Sequence, residues 1–261
     1  MPPGGPFVYV SASGTSPGAV RTRNEDAMLE RPDVGLWAVA DGMGGHRDGD
    51  RASTMIVQAL DRLQGPIGAP ALLAQVRQRL EYVHRRLRSD RADAGVPCGS
   101  TVVVLLAAGG HYCCLWAGDS RLYLLRGGRL TQVTHDHSHV QTLVDTGALT
   151  PQEARDHRMA NIVTRGVGVG EDLNLAKYCD RLHADDIFLL CSDGLTKSLG
   201  AAEIAANLTQ LSMQHVVRDL LDLALERRAD DNVTAVAVRC RAAGGQARPA
   251  DGRAVTTEAG A

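Results

Sequence analysis

Three apolar runs, at residues 100–108, 111–117 and 121–125, follow one another too closely to be anything but strands of an antiparallel meander. Gly109-Gly110 separates the first two, and Gly127-Gly128 follows the third. Glycine pairs accept the positive φ of tight hairpin turns, whereas a parallel pairing would need a crossover of about a dozen residues. Further short apolar runs at 7–11, 35–40, 187–191 and 233–238 have strand character.

Helical periodicity occupies the stretches between. Residues 47–63 place Ala52, Met55, Ile56, Ala59, Leu60 and Leu63 on one stripe, and 70–88 do the same with Leu72, Leu73, Val76, Leu80, Val83 and Leu87. Gln64-Gly65-Pro66-Ile67-Gly68 separates them, so the two helices are expected to pack antiparallel with their apolar faces on a sheet. A third amphipathic helix is predicted over 213–228. Short helical stretches at 139–148 and 151–157 interrupt the strands; Thr150, Pro151 and Glu153 form a capping-box pattern at the start of the second. An inserted segment of this kind, spanning about 139–165, suits a flap over a site.

Composition narrows the function. Hydrophobic residues make up 44% of the 261 but aromatics only 3%, so the core must be built from Ala, Val and Leu. A net charge of -2 and a pI near 6.5 leave no footprint for nucleic acid or an anionic membrane. The longest uncharged apolar run, 101–108, falls far short of the roughly 20 residues that span a bilayer, so no membrane insertion is expected. The N-terminus lacks signal-peptide features, and the six cysteines form no Cys-x-x-Cys pair. Buried free thiols and a cytoplasmic location are expected. Residues 1–240 read as one domain, and 241–261, rich in Gly, Ala, Arg and Thr, as a disordered tail.

The chemistry lies in carboxylates. Asp41, Asp119, Asp193 and Asp231 each fall where a strand begins or ends. Asp41 opens Asp41-Gly42-Met43-Gly44-Gly45-His46, which by itself reads as a tight turn more readily than as a metal-binding corner. The segment from Arg21 to Asp26 reads by itself as a solvated charged loop, yet two consecutive strands would bring Glu25 or Asp26 beside Asp41. Carboxylates converging at one sheet edge repel strongly unless cations neutralise them. All-oxygen ligands favour Mg²⁺ or Mn²⁺, and two such ions suit hydrolysis of a phosphoester by water, with an arginine gripping the phosphate. Arg21 is the candidate for that grip. His135, His137 and His139 alternate, but no further ligand stands at zinc spacing.

Arg21-x-x-Asn24-Glu25-Asp26, Val39-Ala40-Asp41-Gly42-Met43-Gly44-Gly45-His46, Gly99-Ser100-Thr101, Gly118-Asp119-Ser120-Arg121, Asp136-His137-Ser138, Ser192-Asp193-Gly194-Leu195 and Asp231-Asn232-Val233-Thr234 occur in one order. In that order the chain resembles bacterial metal-dependent serine/threonine protein phosphatases of the PP2C type, from about residue 8 to 240. Within that family it resembles phosphatases that oppose a Hanks-type kinase in type VI secretion.

The resemblance implies an α+β fold, with a central antiparallel β-sandwich flanked by helices on both faces in α/β/β/α layers. It implies dephosphorylation of phosphoserine and phosphothreonine on proteins by a water bridging two Mn²⁺ or Mg²⁺ ions, with room for a third. Asp41 would bridge the two ions, Asp193 and Asp231 would complete one site, and the Gly42 carbonyl would serve the other. Glu25 and Asp26 would hold metal-bound waters or a metal, Asp119 would help bind the third ion, and Arg21 would clamp phosphate. His46 would give a proton to the departing oxygen. The expected partners are phosphoproteins and a cognate Ser/Thr kinase, with the enzyme itself a monomer. Two other classes stay open: a catalytically silent phosphoprotein-binding module on the same fold, and a metal-dependent nuclease, which would need a basic track.

Overall fold

The apolar runs of the meander are nearly unbroken, and the reason is that both faces of each sheet are covered. The structure, a computed structural model, describes residues 6–43, 49–65, 68–94 and 98–243. The chain starts with β1 (Phe7–Ser16), β2 (Asp26–Arg31) and β3 (Leu36–Met43), then α1 (Gly49–Asp61) and α2 (Ala69–Ala94). The meander follows as β4 (Gly99–Ser100), β5 (Val102–Ala108), β6 (His111–Ala117), β7 (Arg121–Arg126) and β8 (Arg129–Gln132). Next come α3 (His139–Asp145), α4 (Pro151–Arg155), β9 (Ala176–Arg181) and β10 (Ile187–Cys191). The described chain closes with α5 (Asp193–Ser198), α6 (Ala201–Leu208), α7 (Met213–Glu226) and β11 (Val233–Ala242).

The strands form two antiparallel sheets, β1-β11-β10-β7-β8 and β2-β3-β5-β6-β9, with β4 added beside β3. Their period-2 alternation sorts side chains into three apolar layers. On β3, Trp37 and Val39 face the other sheet, while Leu36, Ala38 and Ala40 meet α1 and α2. On β11, Val236, Val238 and Cys240 face inward, while Val233, Ala235 and Ala237 meet α5, α6 and α7. The layers are α/β/β/α, as expected. Small and branched residues suit them because each sheet packs closely on two sides. Among the described residues no helix is long and apolar enough to cross a membrane.

Several expectations shift. α2 runs to Ala94 and β11 to Ala242, past the predicted ends at 88 and 238. Hydrogen bonds to β7 and β1 extend strands where composition turns polar. The strand β8 carries too few apolar positions to stand out, and the helices α5 and α6 are too short to show a helical period. The expectation of six free thiols is also corrected. Cys113 and Cys179 are direct partners across β6 and β9 and form a disulfide, with Cα atoms 4.1 Å apart. No spacing rule reveals this pair, because it depends on which strands become neighbours. Cys114, Cys191 and Cys240 keep buried thiols, and burial pushes the Cys191 thiol up to about 12.

Candidate metal centre

Antiparallel order brings the chemistry to one end. Cys191 at the end of β10 pairs with Arg121 at the start of β7 and with Ala235 near the start of β11. Asp119, Asp193 and Asp231 therefore leave neighbouring strands on the same edge. In the second sheet Asp26 opens β2 directly opposite Asp41 on β3. Asp41 lies inside its strand, which continues through Gly42 and Met43 to pair with β4, so Asp41-Gly42 is not a hairpin turn. A Cβ at Gly42 would stand 2.1 Å from the Gly49 carbonyl oxygen, which explains why only glycine fits between β3 and the start of α1. The Gly42 N–H donates to the Glu25 carbonyl, 3.1 Å away, and the Ser53 hydroxyl donates to the same oxygen at 2.6 Å.

Asp26 joins the two sheets. The hydroxyls of Ser192 and Thr234 donate to its Oδ2 at 2.7 and 2.6 Å, while its Oδ1 is buried without a hydrogen-bond partner. Burial, offset by those two hydroxyls and reinforced by Asp193 and Asp231, pushes its carboxyl up to about 7. Burial also raises Asp41 well above the usual carboxylate range, with Asp26, Asp193, Asp119 and Asp231 all adding. Asp119 is 7% exposed and is pushed up to about 7 by burial first and then by Asp193 and Asp136. Burial raises Asp193 too, opposed by Lys197, and raises Glu25, with Asp50 adding and Arg21 opposing. Four aspartates, Asp26, Asp41, Asp119 and Asp193, thus sit where burial disfavours their charged forms.

Among the described residues, ion pairs from protein cations reach only one side of this cluster. Lys197 Nζ lies 2.6 Å from Asp193 Oδ2 and 3.3 Å from Asp231 Oδ2. Arg21 Nε stands 3.2 Å from Asp231 Oδ1 and donates to the Asp230 carbonyl, with its side chain 54% exposed at the rim. Among the described residues no three acidic, His or Cys side chains close on one point as they stand.

Polar supports surround the centre. Asn232 accepts from the Glu25 N–H at 2.8 Å and donates to the carbonyls of Pro17 and Arg23, which pins the acidic-arginine segment to β11. Thr101 Oγ1 accepts from the Asp41 N–H, and its N–H donates to the Asp41 carbonyl. Gly118 has φ +117°, and its N–H donates to His137 Nδ1 at 3.2 Å. The His137 ring stacks on Trp116 with centroids 5.9 Å apart, and burial first, then Arg165 and His135, lowers its pKa to about 4. Arg121 forks onto Asp136 and anchors the 133–138 loop. The predicted 139–165 segment contains α3 and α4 and is tied back by the Ser138–Val163 bridge.

Glu25, Asp26, Asp41, Gly42, Asp119, Asp193, Asp231 and Arg21 are therefore all at this end, while His46 lies outside the described residues. Sequence reasoning assigned no role to Lys197, Asn232, Ser192, Thr234 or Thr101. Their motif neighbours marked the region, but their contacts reach as far as 215 positions along the chain.

Residues 13–234 match the family model described as protein phosphatase 2C. Among curated relatives, the serine/threonine protein phosphatase PstP of Mycobacterium tuberculosis is 35% identical over 229 residues, covering 86% of this chain. The chain spans 44% of that relative's length. A solved structure described as PppA, a key regulatory component of T6SS in Pseudomonas aeruginosa, is 45% identical with a TM-score of 0.83, covering 89% of this chain and 98% of its own. The catalytic domain of PstP, solved in complex with two manganese ions, is 33% identical with a TM-score of 0.79, covering 90% and 99%. With the motifs, the sandwich and the carboxylate end in one register, the chain belongs to the protein phosphatase 2C family.

Proposed function

We propose that this protein is a metal-dependent serine/threonine phosphatase that hydrolyses phosphoserine and phosphothreonine on proteins. The observation that carries this reading is the buried, unpartnered Oδ1 of Asp26, set in a strand pair directly against Asp41. A buried carboxylate oxygen without a donor is costly, and a second carboxylate opposite raises that cost, so the arrangement suits a cation. The donor set fits Mn²⁺ or Mg²⁺, because it offers carboxylate and carbonyl oxygens and no thiolate.

Asp41, Asp193, Asp231 and the Gly42 carbonyl would hold two ions, with Glu25 and Asp26 supporting their waters and Asp119 placed for a third. When bound, such ions supply Lewis acidity towards phosphoryl oxygens and make water a better nucleophile. Arg21 presents its planar guanidinium at the open rim, where it can take two oxygens of a phosphoryl group and orient the phosphorus. Thr101 and Asn232 keep Asp41 and Glu25 in place through backbone contacts. The segment carrying α3 and α4 would form the flap that selects among phosphoproteins, and the physiological counterpart would be a Ser/Thr kinase, with the phosphatase acting as a monomer.

Turnover of p-nitrophenyl phosphate and of a phosphothreonine peptide is expected with Mn²⁺ and not in excess EDTA. Undiminished turnover in EDTA would overturn the metal reading. Peptide binding without turnover would favour the silent binding module, and cleavage of a plasmid assayed alongside would favour a nuclease.

A further inference from the structure

The chain holds 26 arginines and only two lysines, Lys177 and Lys197. Lys177 is exposed on the edge strand β9. Lys197 reaches into the carboxylate centre, where its ammonium spans Asp193 at the start of α5 and Asp231 in the loop before β11. An ordinary exposed pair one helical turn apart would look different. Here the Asp193 side chain is only 16% exposed and a second, non-local carboxylate shares the same ammonium.

Resting on the metal reading above, we propose that Lys197 is a built-in cation of this centre, which competes with a divalent ion for the oxygens of Asp193 and Asp231 and swings clear when the ion binds. Both oxygens of Asp231 already have donors. Oδ1 takes the Asn232 N–H at 3.0 Å and faces Arg21 at 3.2 Å, and Oδ2 faces Lys197. An ion ligated by Asp231 Oδ2 would come within a few ångströms of the Lys197 ammonium, and like charges that close compete for the oxygen. The Asn232 N–H belongs to the backbone and cannot withdraw, whereas Lys197 sits on a four-carbon stem near the end of the short helix α5, with its side chain 32% exposed. Its ammonium has a route to water. The residue type agrees with this role. An ammonium is a compact point charge with rotatable donors and can stand in for an ion, while a guanidinium would hold a carboxylate through a planar fork and release it less readily.

Competition lowers the apparent affinity for the ion by the fraction of molecules in which the oxygens are free. The test uses the full chain, stripped with EDTA and dialysed, and titrated calorimetrically with MnCl₂. Lys197→Met is expected to bind Mn²⁺ on the order of tenfold more tightly than the parent, and to melt at a lower temperature in EDTA. A second readout needs no variant. Limited acetylation with acetic anhydride, followed by peptide mass spectrometry, compares Lys197 with Lys177 as an internal reference. The Lys197:Lys177 labelling ratio is expected to rise severalfold when Mn²⁺ is added. Normal Mn²⁺ binding with unchanged affinity and an unchanged ratio overturns this inference alone. Tighter binding by the variant without a change in the ratio overturns the displacement. Absence of Mn²⁺ binding to the parent overturns the metal reading and this inference with it.

Discussion

The two ends of the sandwich both carry aspartates where strands start or stop, and they treat them in opposite ways. At the end remote from the candidate centre, Asp186 precedes β10 with its side chain fully buried. Arg126 Nε and Nη2 donate to its two oxygens at 2.7 and 2.8 Å, and the His183 N–H adds a bond of 2.8 Å. Its charge is matched in place. At the other end Asp26 has one oxygen without a donor, and Asp41 and Asp119 receive nothing from other side chains among the described residues. A strand-end aspartate is thus no evidence of function by itself. What separates the two kinds is whether the fold supplies enough donors for the buried charge.

The sharpest way to break this comparison is to neutralise one aspartate at each end. Asp193→Asn or Asp41→Asn is expected to lower Mn²⁺-dependent turnover of p-nitrophenyl phosphate by about a thousandfold or more, the loss of roughly 4 kcal/mol of transition-state stabilisation. Asp186→Asn is expected to keep the turnover and lose about 2–3 kcal/mol of stability in urea, since it breaks a pair whose carboxylate is buried but whose arginine is partly exposed. If Asp186→Asn inactivated the folded enzyme instead, the division between the ends would fail.

Metal titration comes next in size. An ion that binds only the folded chain is expected to stabilise it by about 2.7 kcal/mol at a hundred times its dissociation constant, read as a rise in melting temperature. Asp193→Asn should lose most of that rise and Asp186→Asn should retain it. A smaller effect separates stability from activity at the centre itself. In EDTA, Asp26→Asn is expected to stabilise the chain by about 1 kcal/mol, because it removes a buried charge while leaving an oxygen for Ser192 and Thr234. Destabilisation by Asp26→Asn in urea melts would show that its charge is already matched by the protein.

The smallest predicted effect concerns pH at the loop that steadies Asp119. His137 is held at about 4 against an ordinary value of 6.5, with burial the main cause. The unfolded chain takes up this proton below 6.5 and the folded chain does so only near 4. The stability tied to the neutral ring is therefore present above 6.5 and is lost as pH falls towards 4. Urea midpoints at pH 7.5 and pH 5 should show a smaller drop for His137→Gln than for the parent. An equal drop in both would remove His137 from the acid-sensitive groups.

Much of the layout is legible in the sequence. The Gly109-Gly110 hairpin and the stripes on α1, α2 and α7 follow from local rules, because turn geometry and helical period are set by near neighbours in the chain. The strand-end placement of Asp119, Asp193 and Asp231 was legible for the same reason. Asp41 was placed one step wrong, after its strand rather than inside it, because the β4 pairing that prolongs β3 comes from more than 50 positions away. β8 was missed for a related reason, since an edge strand with exposed side chains leaves little apolar pattern.

By itself the sequence determined the class of chemistry, through the residue types it sets at strand ends: oxygen donors, an arginine, and no paired thiol ligands. Only the tertiary structure decided which charges are matched. That Asp186 meets Arg126 while Asp26 Oδ1 meets no donor, that Lys197 spans Asp193 and Asp231, and that Cys113 meets Cys179 all depend on strand order and register. Burial and partner count are through-space quantities, and they arise only once residues as far apart as Asp26 and Thr234 share a boundary between the two sheets.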